Sequence, residues 1–306
     1  MLLAALGVLG ACGGDDAEPV DLTDSSAERD DLAERIEDAE RRLERLRERE
    51  RKDSGKPREP NGLRGVDRLL TSLDAEVGLT AGPPGSAPAH AAGGLRIGSA
   101  WSTIKVPIAL RVIQRAGGVD ALGAAQREQI ERAITASDNQ AAARLFASLG
   151  AVGTAAREVE DVLREAGDDE TRVSTQSRGE FSPYGQTNWS LERQHRFIAA
   201  LAAGCIGQDG SADYLLDLMG RVTSDRWGLG SVGVPARWKG GWGPGTDGRY
   251  LVRQMGVIEA SRGPLVVTLA AIPHDGSFES GQRVATAVAR WLREHAAGLA
   301  GPGNDC

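Results

Sequence analysis

"AWSTIKVP", Ala100–Pro107, sets Ser102 and Lys105 three positions apart at the front of an apolar run. On a helix, positions i and i+3 share a face, so the lysine amine can reach the serine hydroxyl. A serine is a weak nucleophile until a base takes its proton. A lysine can be that base when burial and a neighbouring cation lower its pKa. The plainer alternative is a helix-capping serine and a solvated lysine. Both residue types are common, so the spacing alone does not choose between the two.

The chain has 306 residues, 41% hydrophobic, with 40 glycines. That suits a globular domain with a sizeable core. A formal net charge of −7 argues against a dedicated nucleic-acid binder. There is no zinc-type Cys/His spacing and no phosphate-binding P-loop. His90, His195, His274 and His295 are scattered, so a Ser-His-Asp reading has little support.

Outward from the opening stretch, the periodicities alternate in kind. "LRGVDRLLTSLD" is an amphipathic helix and "AEVGLTAG" a strand, followed by a Pro/Gly/Ala-rich loop over 82–94. "TIKVPIALRVIQRAG" is helical and ends at Gly117-Gly118. A second helix, "VDALGAAQREQIERAITA", runs into Ser137-Asp138-Asn139, and residues 140–166 are helical again. "WSLERQHRFIAALAAG" is a helix that Asn188 or Ser190 can cap. "ARWKGGWG", "YLVRQMGVIEA" and "PLVVTLAAIP" form a three-stranded antiparallel meander. "GQRVATAVARWLREHAAG" closes the domain as a long amphipathic helix. This order gives an α+β domain over residues 63–300, with its first and last helices on one face of the sheet. Residues 301–306 are a tail.

Three motifs now stand in order: Ser102-Thr103-Ile104-Lys105, Ser137-Asp138-Asn139 and Lys239-Gly240-Gly241. Each falls on a different element: a helix start, a loop after a helix, and the first strand of the meander. The set resembles the serine β-lactamases and penicillin-binding proteins. That resemblance implies a β-lactamase/transpeptidase-like fold, an antiparallel sheet flanked by the N- and C-terminal helices plus an all-helical part. It implies roles as well. Ser102 is the nucleophile and Lys105 its general base. Ser137 relays a proton to the leaving nitrogen. Asn139 holds the substrate amide, and Lys239 supplies the second cation and anchors a substrate carboxylate. Gly241 leads to Trp242, whose backbone N–H joins that of Ser102 as an oxyanion hole. No metal or cofactor is called for.

The departures from that pattern are informative. Gly240 stands where the family carries a threonine or serine hydroxyl. The family's deacylating loop, Arg-x-Glu-x-x-Leu-Asn, is matched only by Arg178-Gly179-Glu180, with Tyr184 in the place of the asparagine. Glu180 is a candidate for activating water, against the alternative of a surface carboxylate paired with Arg178. Arg249 and Arg253 lie four apart at the second meander strand, on one face. Either is a candidate for a substrate carboxylate, Arg253 being the preferred one.

The N-terminus is of another kind. "MLLAALGVLGAC", residues 1–12, resembles the lipobox of bacterial lipoprotein signal peptides, which implies lipidation at Cys12 and an extracytoplasmic, membrane-anchored protein. The run is too short to span a bilayer. It lacks the basic start of a signal peptide, so the true start is expected upstream. Residues 13–25 read as a linker. In residues 26–52, Leu32, Ile36, Ala39, Leu43 and Leu46 alternate steps of four and three. This is a lone charged helix, a spacer of roughly 40 Å or a weak self-association stripe. "KDSGKPREPNG" ends it, with residues 53–62 as a second linker. Export leaves Cys205 and Cys306 free to pair as a disulfide.

The expectation is therefore a cell-surface serine hydrolase that forms an acyl-enzyme at Ser102 with β-lactam or peptidoglycan-like amide substrates. Two alternatives stay open: a competent class A β-lactamase, and a non-catalytic cell-wall binding lipoprotein with a relic site.

Overall fold

The computed structural model describes residues 63, 65–301, 303 and 306. The lipobox with Cys12, both linkers, the 26–52 helix and its self-association stripe lie outside the described residues.

Helix α1 (Val66–Ser72) precedes β1 (Ala75–Gly82). The loop expected over 82–94 contains a short strand, β2 (His90–Gly93), paired antiparallel to β1. A small ribbon, β3 (Ile97–Ser99) with β4 (Asn188–Ser190), flanks the 3-10 turn Trp101–Ile104. The helical part is α2 (Lys105–Ala116), α3 (Ala124–Thr135), α4 (Asn139–Ser148) and α5 (Val152–Glu165). Then come α6 (Leu191–Ala202) and α7 (Ser211–Gly220). The meander is β5 (Ala236–Pro244), β6 (Tyr250–Ala260) and β7 (Gly263–Pro273), and α8 (Phe278–Leu299) closes the domain. The main sheet has the order β2-β1-β7-β6-β5, antiparallel throughout, which leaves β5 at an open edge.

Local chemistry explains the boundaries. In α2, Val106, Pro107, Ile108, Ala109, Leu110, Val112 and Ile113 are all buried, so this helix runs through the core rather than along it. Pro107 is tolerated because first-turn N–H groups have no intrahelical partner. Gly117, at φ 90°, stops the helix, and the N–H groups of Gly117 and Gly118 return to the carbonyls of Gln114 and Ile113. The stretch 140–166 is two helices, not one. Gly150 at φ 125° breaks it between α4 and α5. The Ser190 hydroxyl caps α6 by accepting from Arg193 N–H at 3.2 Å, and Ser277 caps α8 in the same way.

The sheet separates two hydrophobic cores. One lies among α2 to α7 and reaches the sheet through Met255, Val257 and Val266. The other lies between the opposite sheet face and α8, with Val66 of α1 at its edge. Filling each face contributes roughly 1.5–3 kcal/mol per large apolar side chain. Strand β5 lies against the 3-10 turn that feeds α2, and that junction is where the three motifs meet.

Candidate active site

Ser102 sits in the 3-10 turn that feeds α2. The turn is held from beneath. Ala100 N–H donates to the Thr187 carbonyl at 2.7 Å. The buried Thr103 hydroxyl donates to the Ala100 carbonyl at 2.6 Å and accepts from Gln194 Nε2 at 2.8 Å. Thr103 points inward and Ser102 is left facing the cavity. Among the described residues its hydroxyl makes no hydrogen bond.

Lys105 is 2% exposed. Its Nζ donates to the Ser137 carbonyl at 2.5 Å and to Asn139 Oδ1 at 2.7 Å, with Ser137 Oγ at 3.4 Å. Burial, and then the charge of Lys239, lower its pKa to about 6 against the opposing pull of Asp138 and Asp225. Lys239 is fully buried and donates to Ser137 Oγ at 2.8 Å and to the Gly240 carbonyl at 2.9 Å. Burial lowers it to about 8, with Asp225 acting the other way. The Ser137 hydroxyl thus bridges the two amines. Its position follows from the loop itself. Asp138 caps α4 by accepting from Ala141 N–H at 2.9 Å, which starts the helix at Asn139 and turns that amide toward Lys105.

Strand β5 approaches the serine turn at van der Waals limits. A Cβ on Gly241 would stand 2.8 Å from Ser102 N and 3.0 Å from Thr103 N. A Cβ on Gly243 would stand 2.4 Å from the Trp101 indole. Glycine is what lets this edge lie against the nucleophile and sets Trp242 beside it. Trp242 is 42% exposed on the cavity wall; its Nε1 donates to Asp225 Oδ1 at 2.9 Å.

The cavity has a volume of about 1030 Å³ and is lined by Ser102, Lys105, Ser137, Asn139, Glu180 and Trp242 among others. Lys239 reaches it through Ser137. Among the described residues, three non-glycine residues have left-handed φ: Trp101 at 49°, Ser137 at 56° and Asp225 at 50°. All three line this cavity. Such strain persists only where the surroundings enforce it, and it collects at functional sites.

Two expectations need correcting. Arg253 does not face a ligand. It is fully buried, and its guanidinium donates to the carbonyls of Gly98, Ser99 and Trp189 and to Gln194 Oε1. Burial lowers its pKa to about 9. It ties the β3–β4 ribbon to the sheet. Arg249 is exposed and bound to Glu76 at 2.9 Å and Asp247 at 2.7 Å. Glu180 lines the same cavity as Ser102, as an exposed carboxylate without a hydrogen bond or ion pair among the described residues. Arg178 does not pair with it: Arg178 donates to Gln186 Oε1 at 3.0 Å and to the Pro244 and Gly245 carbonyls, and lies over Phe181 and Trp101. It clamps its loop to the end of β5.

Asp225, Gln194 and the clamping role of Arg178 escape the sequence reading. Asp225 lies in "TSDRWGLG", residues 223–230, where only turn-forming residues give any signal. Cys205 and Cys306 are joined by a disulfide, with Cα atoms 5.3 Å apart.

Against known proteins, a family model described as the beta-lactamase enzyme family matches residues 124–295, more than half of the chain. The chain belongs to the beta-lactamase enzyme family. The matched span contains Ser137, Asn139, Lys239 and Trp242, and begins after Ser102 and Lys105. No curated protein matches by sequence. Among solved structures, a representative class A beta-lactamase from Bacteroides cellulosilyticus is similar at TM-score 0.63 and 12% identity, over 78% of this chain and 99% of that one. The beta-lactamase of Sphaerobacter thermophilus gives 0.58 and 20%, over 76% and 97%. An ancestral class A beta-lactamase gives 0.59 and 19%, over 76% and 99%. At these identities the likeness shows the fold, an α+β architecture of the beta-lactamase type.

Proposed function

We propose that this beta-lactamase family member forms an acyl-enzyme at Ser102 with β-lactam or peptidoglycan-like amides. The observation that carries the reading is the run Lys105–Ser137–Lys239, two buried amines joined by one hydroxyl, beside an unengaged serine. Ser102 Oγ attacks the carbonyl carbon while Lys105 Nζ takes the hydroxyl proton. A pKa near 6 makes Lys105 largely neutral at pH 7, as a base must be. Lys105 is directed at Ser137 and Asn139 in the free protein; catalytic hydrogen bonds commonly tighten only when substrate is bound. The tetrahedral oxygen is held by the backbone N–H groups of Ser102 and Trp242, one such donor being worth about 3 kcal/mol of barrier in other enzymes. The C–N bond breaks as the leaving nitrogen takes a proton through the Ser137 hydroxyl, whose own proton is replaced from the neighbouring amines. Water then hydrolyses the ester. The unmatched deacylating loop, with Tyr184 in the place of the asparagine, supports slow hydrolysis and a long-lived acyl-enzyme.

The protein works outside the cytoplasm, held to a membrane by lipid on Cys12. The lipobox-like start supports this, and so does the Cys205–Cys306 disulfide, since such bonds persist in oxidising compartments.

The test is labelling by a fluorescent penicillin, read by intact mass, with Ser102→Ala as control. A wild-type adduct that Ser102→Ala abolishes supports acyl transfer. Equal labelling of both, or none of either, overturns it and leaves the non-catalytic binding lipoprotein. Rapid nitrocefin turnover would overturn slow hydrolysis and leave a competent β-lactamase.

A further inference from the structure

The cavity is larger than the acyl-transfer groups need. Its volume of about 1030 Å³ stands at the top of the roughly 300–1,000 Å³ of small-molecule sites. Lys105, Ser137 and Asn139 are bonded together at one end of it, beside Ser102. The rest is a groove between two walls, and both walls start at that end. One is α4. Asn139, Ala143 and Ala147 follow at steps of four and share a helix face. At about 1.5 Å per residue, this face carries the cavity roughly 12 Å beyond Asn139. The break at Gly150 then sets Ala151 and Val152 at the far end. The second wall is the loop 180–185. Its Phe181 ring meets the Trp101 ring edge-on at 5.2 Å, next to the nucleophile. Its Tyr184 ring lies 4.8 Å from Phe146 of α4, and both rings are buried, which closes the groove from below.

The α4 wall is apolar and open. Ala143, Ala147, Ala151 and Val152 are all exposed along it. Val152 is 45% exposed, although it is β-branched and apolar. Apolar residues scattered singly on a surface are ordinary; a continuous apolar lining that leads away from a cluster of polar groups is the makeup of a ligand site. Charge belongs to the other end. There the Asp225 carboxylate is offset by Lys105 and Lys239, on both of which it acts. That end can therefore take an amide together with a carboxylate. Glu180 is the one charged side chain of the loop wall, and it is exposed to solvent.

We propose that the groove along α4 holds a long unbranched apolar arm of the substrate, joined to the reacting unit through an amide at Asn139 and reaching Val152. The substrate class is then an amide with a long-chain N-acyl group, not one with a short or polar one. The proposal rests on the cavity being the substrate site and not on acyl transfer.

The test is equilibrium binding to the full chain carrying Ser102→Ala, by calorimetry at pH 7. The probes are N-acetyl-, N-hexanoyl- and N-decanoyl-glycylglycine, which share both amides and the carboxylate and differ only in the arm. The decanoyl probe should bind about a hundredfold tighter than the acetyl one, with hexanoyl between, on the scale of about twofold for each half-buried methylene. Val152→Asp puts a carboxylate at the far end of the groove, in the first turn of α5, where an acidic residue suits the helix. It should weaken the decanoyl probe about tenfold and leave the acetyl probe unchanged. Ala147→Leu fills the middle of the groove and should do the same. Ile97, also exposed, does not line the cavity, so Ile97→Gln should change nothing. Equal binding of the three probes, no binding of any, or a decanoyl gain that both groove variants leave intact overturns the proposal. So does a loss that falls equally on all three probes, or one that Ile97→Gln also causes. If the parent chain is a dimer that Val152→Asp dissociates, and the probes bind alike, the groove is a contact between copies and the proposal fails. Should Val152→Asp not fold, Ala147→Leu decides. Because binding needs no nucleophile, a chain that takes no penicillin label can still show the dependence on arm length, and one that labels can lack it, so the two failures are distinguishable.

Discussion

The Ser137 hydroxyl lies 2.8 Å from the Lys239 amine, joining a half-buried residue on the cavity wall to an amine that is fully buried. That contact ties the loop after α3 to the open edge of the sheet. Its energetics follow from burial: an amine without solvent is costly to charge, and an adjacent cation raises the cost.

The first prediction concerns pH. Lys105 acts as a base once deprotonated, so acylation should rise as pH passes through about 6 and fall through about 8 as Lys239 loses its charge. A second-order labelling rate measured from pH 5 to 10 checks this; a flat profile would remove the lysine base.

Stability should run with the same groups, with a definite sign. Lys105 in the folded protein titrates near 6, below the 10.5 of a free lysine. Between those values the unfolded chain binds more protons, so stability rises with pH across that window and is lowest on its acid side. In Lys105→Met the slope of stability against pH should shrink, as read from urea midpoints at pH 6, 7.5 and 9.

Ser137→Ala keeps the carbonyl that binds Lys105 and deletes only the bridging hydroxyl. Labelling should slow by about a hundredfold or more, with a melting temperature close to that of the parent. A large drop in melting with an unchanged rate per folded molecule would mean that Ser137 is structural.

Gly241→Ala places a methyl 2.8–3.0 Å from three backbone atoms of the serine turn, Ser102 N, Ala100 O and Thr103 N. Backbone cannot yield as a side chain does. The variant should lose about 1–3 kcal/mol in urea denaturation and lose labelling with it.

Arg253→Met deletes a guanidinium whose carbonyl partners stay buried. The cost should be about 2–4 kcal/mol in unfolding. Substrate affinity per folded molecule should stay the same. A selective rise in KM without loss of stability would restore Arg253 to the ligand.

The fold was legible wherever one face is apolar at a fixed period. "AEVGLTAG" became β1 residue for residue, and the meander and last helix were read from their alternation and their 3.6-residue stripe. What failed was short or local. Strand β2 spans four residues, His90–Gly93, and is a strand only because β1 lends it partners. The split at Gly150 depends on one left-handed residue in a good helical pattern. Within the site, the motif residues converge because each is anchored to its own element. Arg253 was misread because alternation gives a face and not a depth: it shares a face with Lys239 and Gly241 but lies beneath the ribbon. Asp225 carried no pattern at all. Its place is fixed by the Trp238, Trp242 and Gln254 side chains, from strands that begin later in the chain.

Trp101, Ser137 and Asp225 hold backbone conformations that glycine would adopt more cheaply, and Lys105 is buried where methionine would be more comfortable. Selection for heat tolerance alone would therefore erode this cleft first, and a robust descendant obtained that way should be a silent one. A breeding scheme that hopes to keep the chemistry must screen for it at every round.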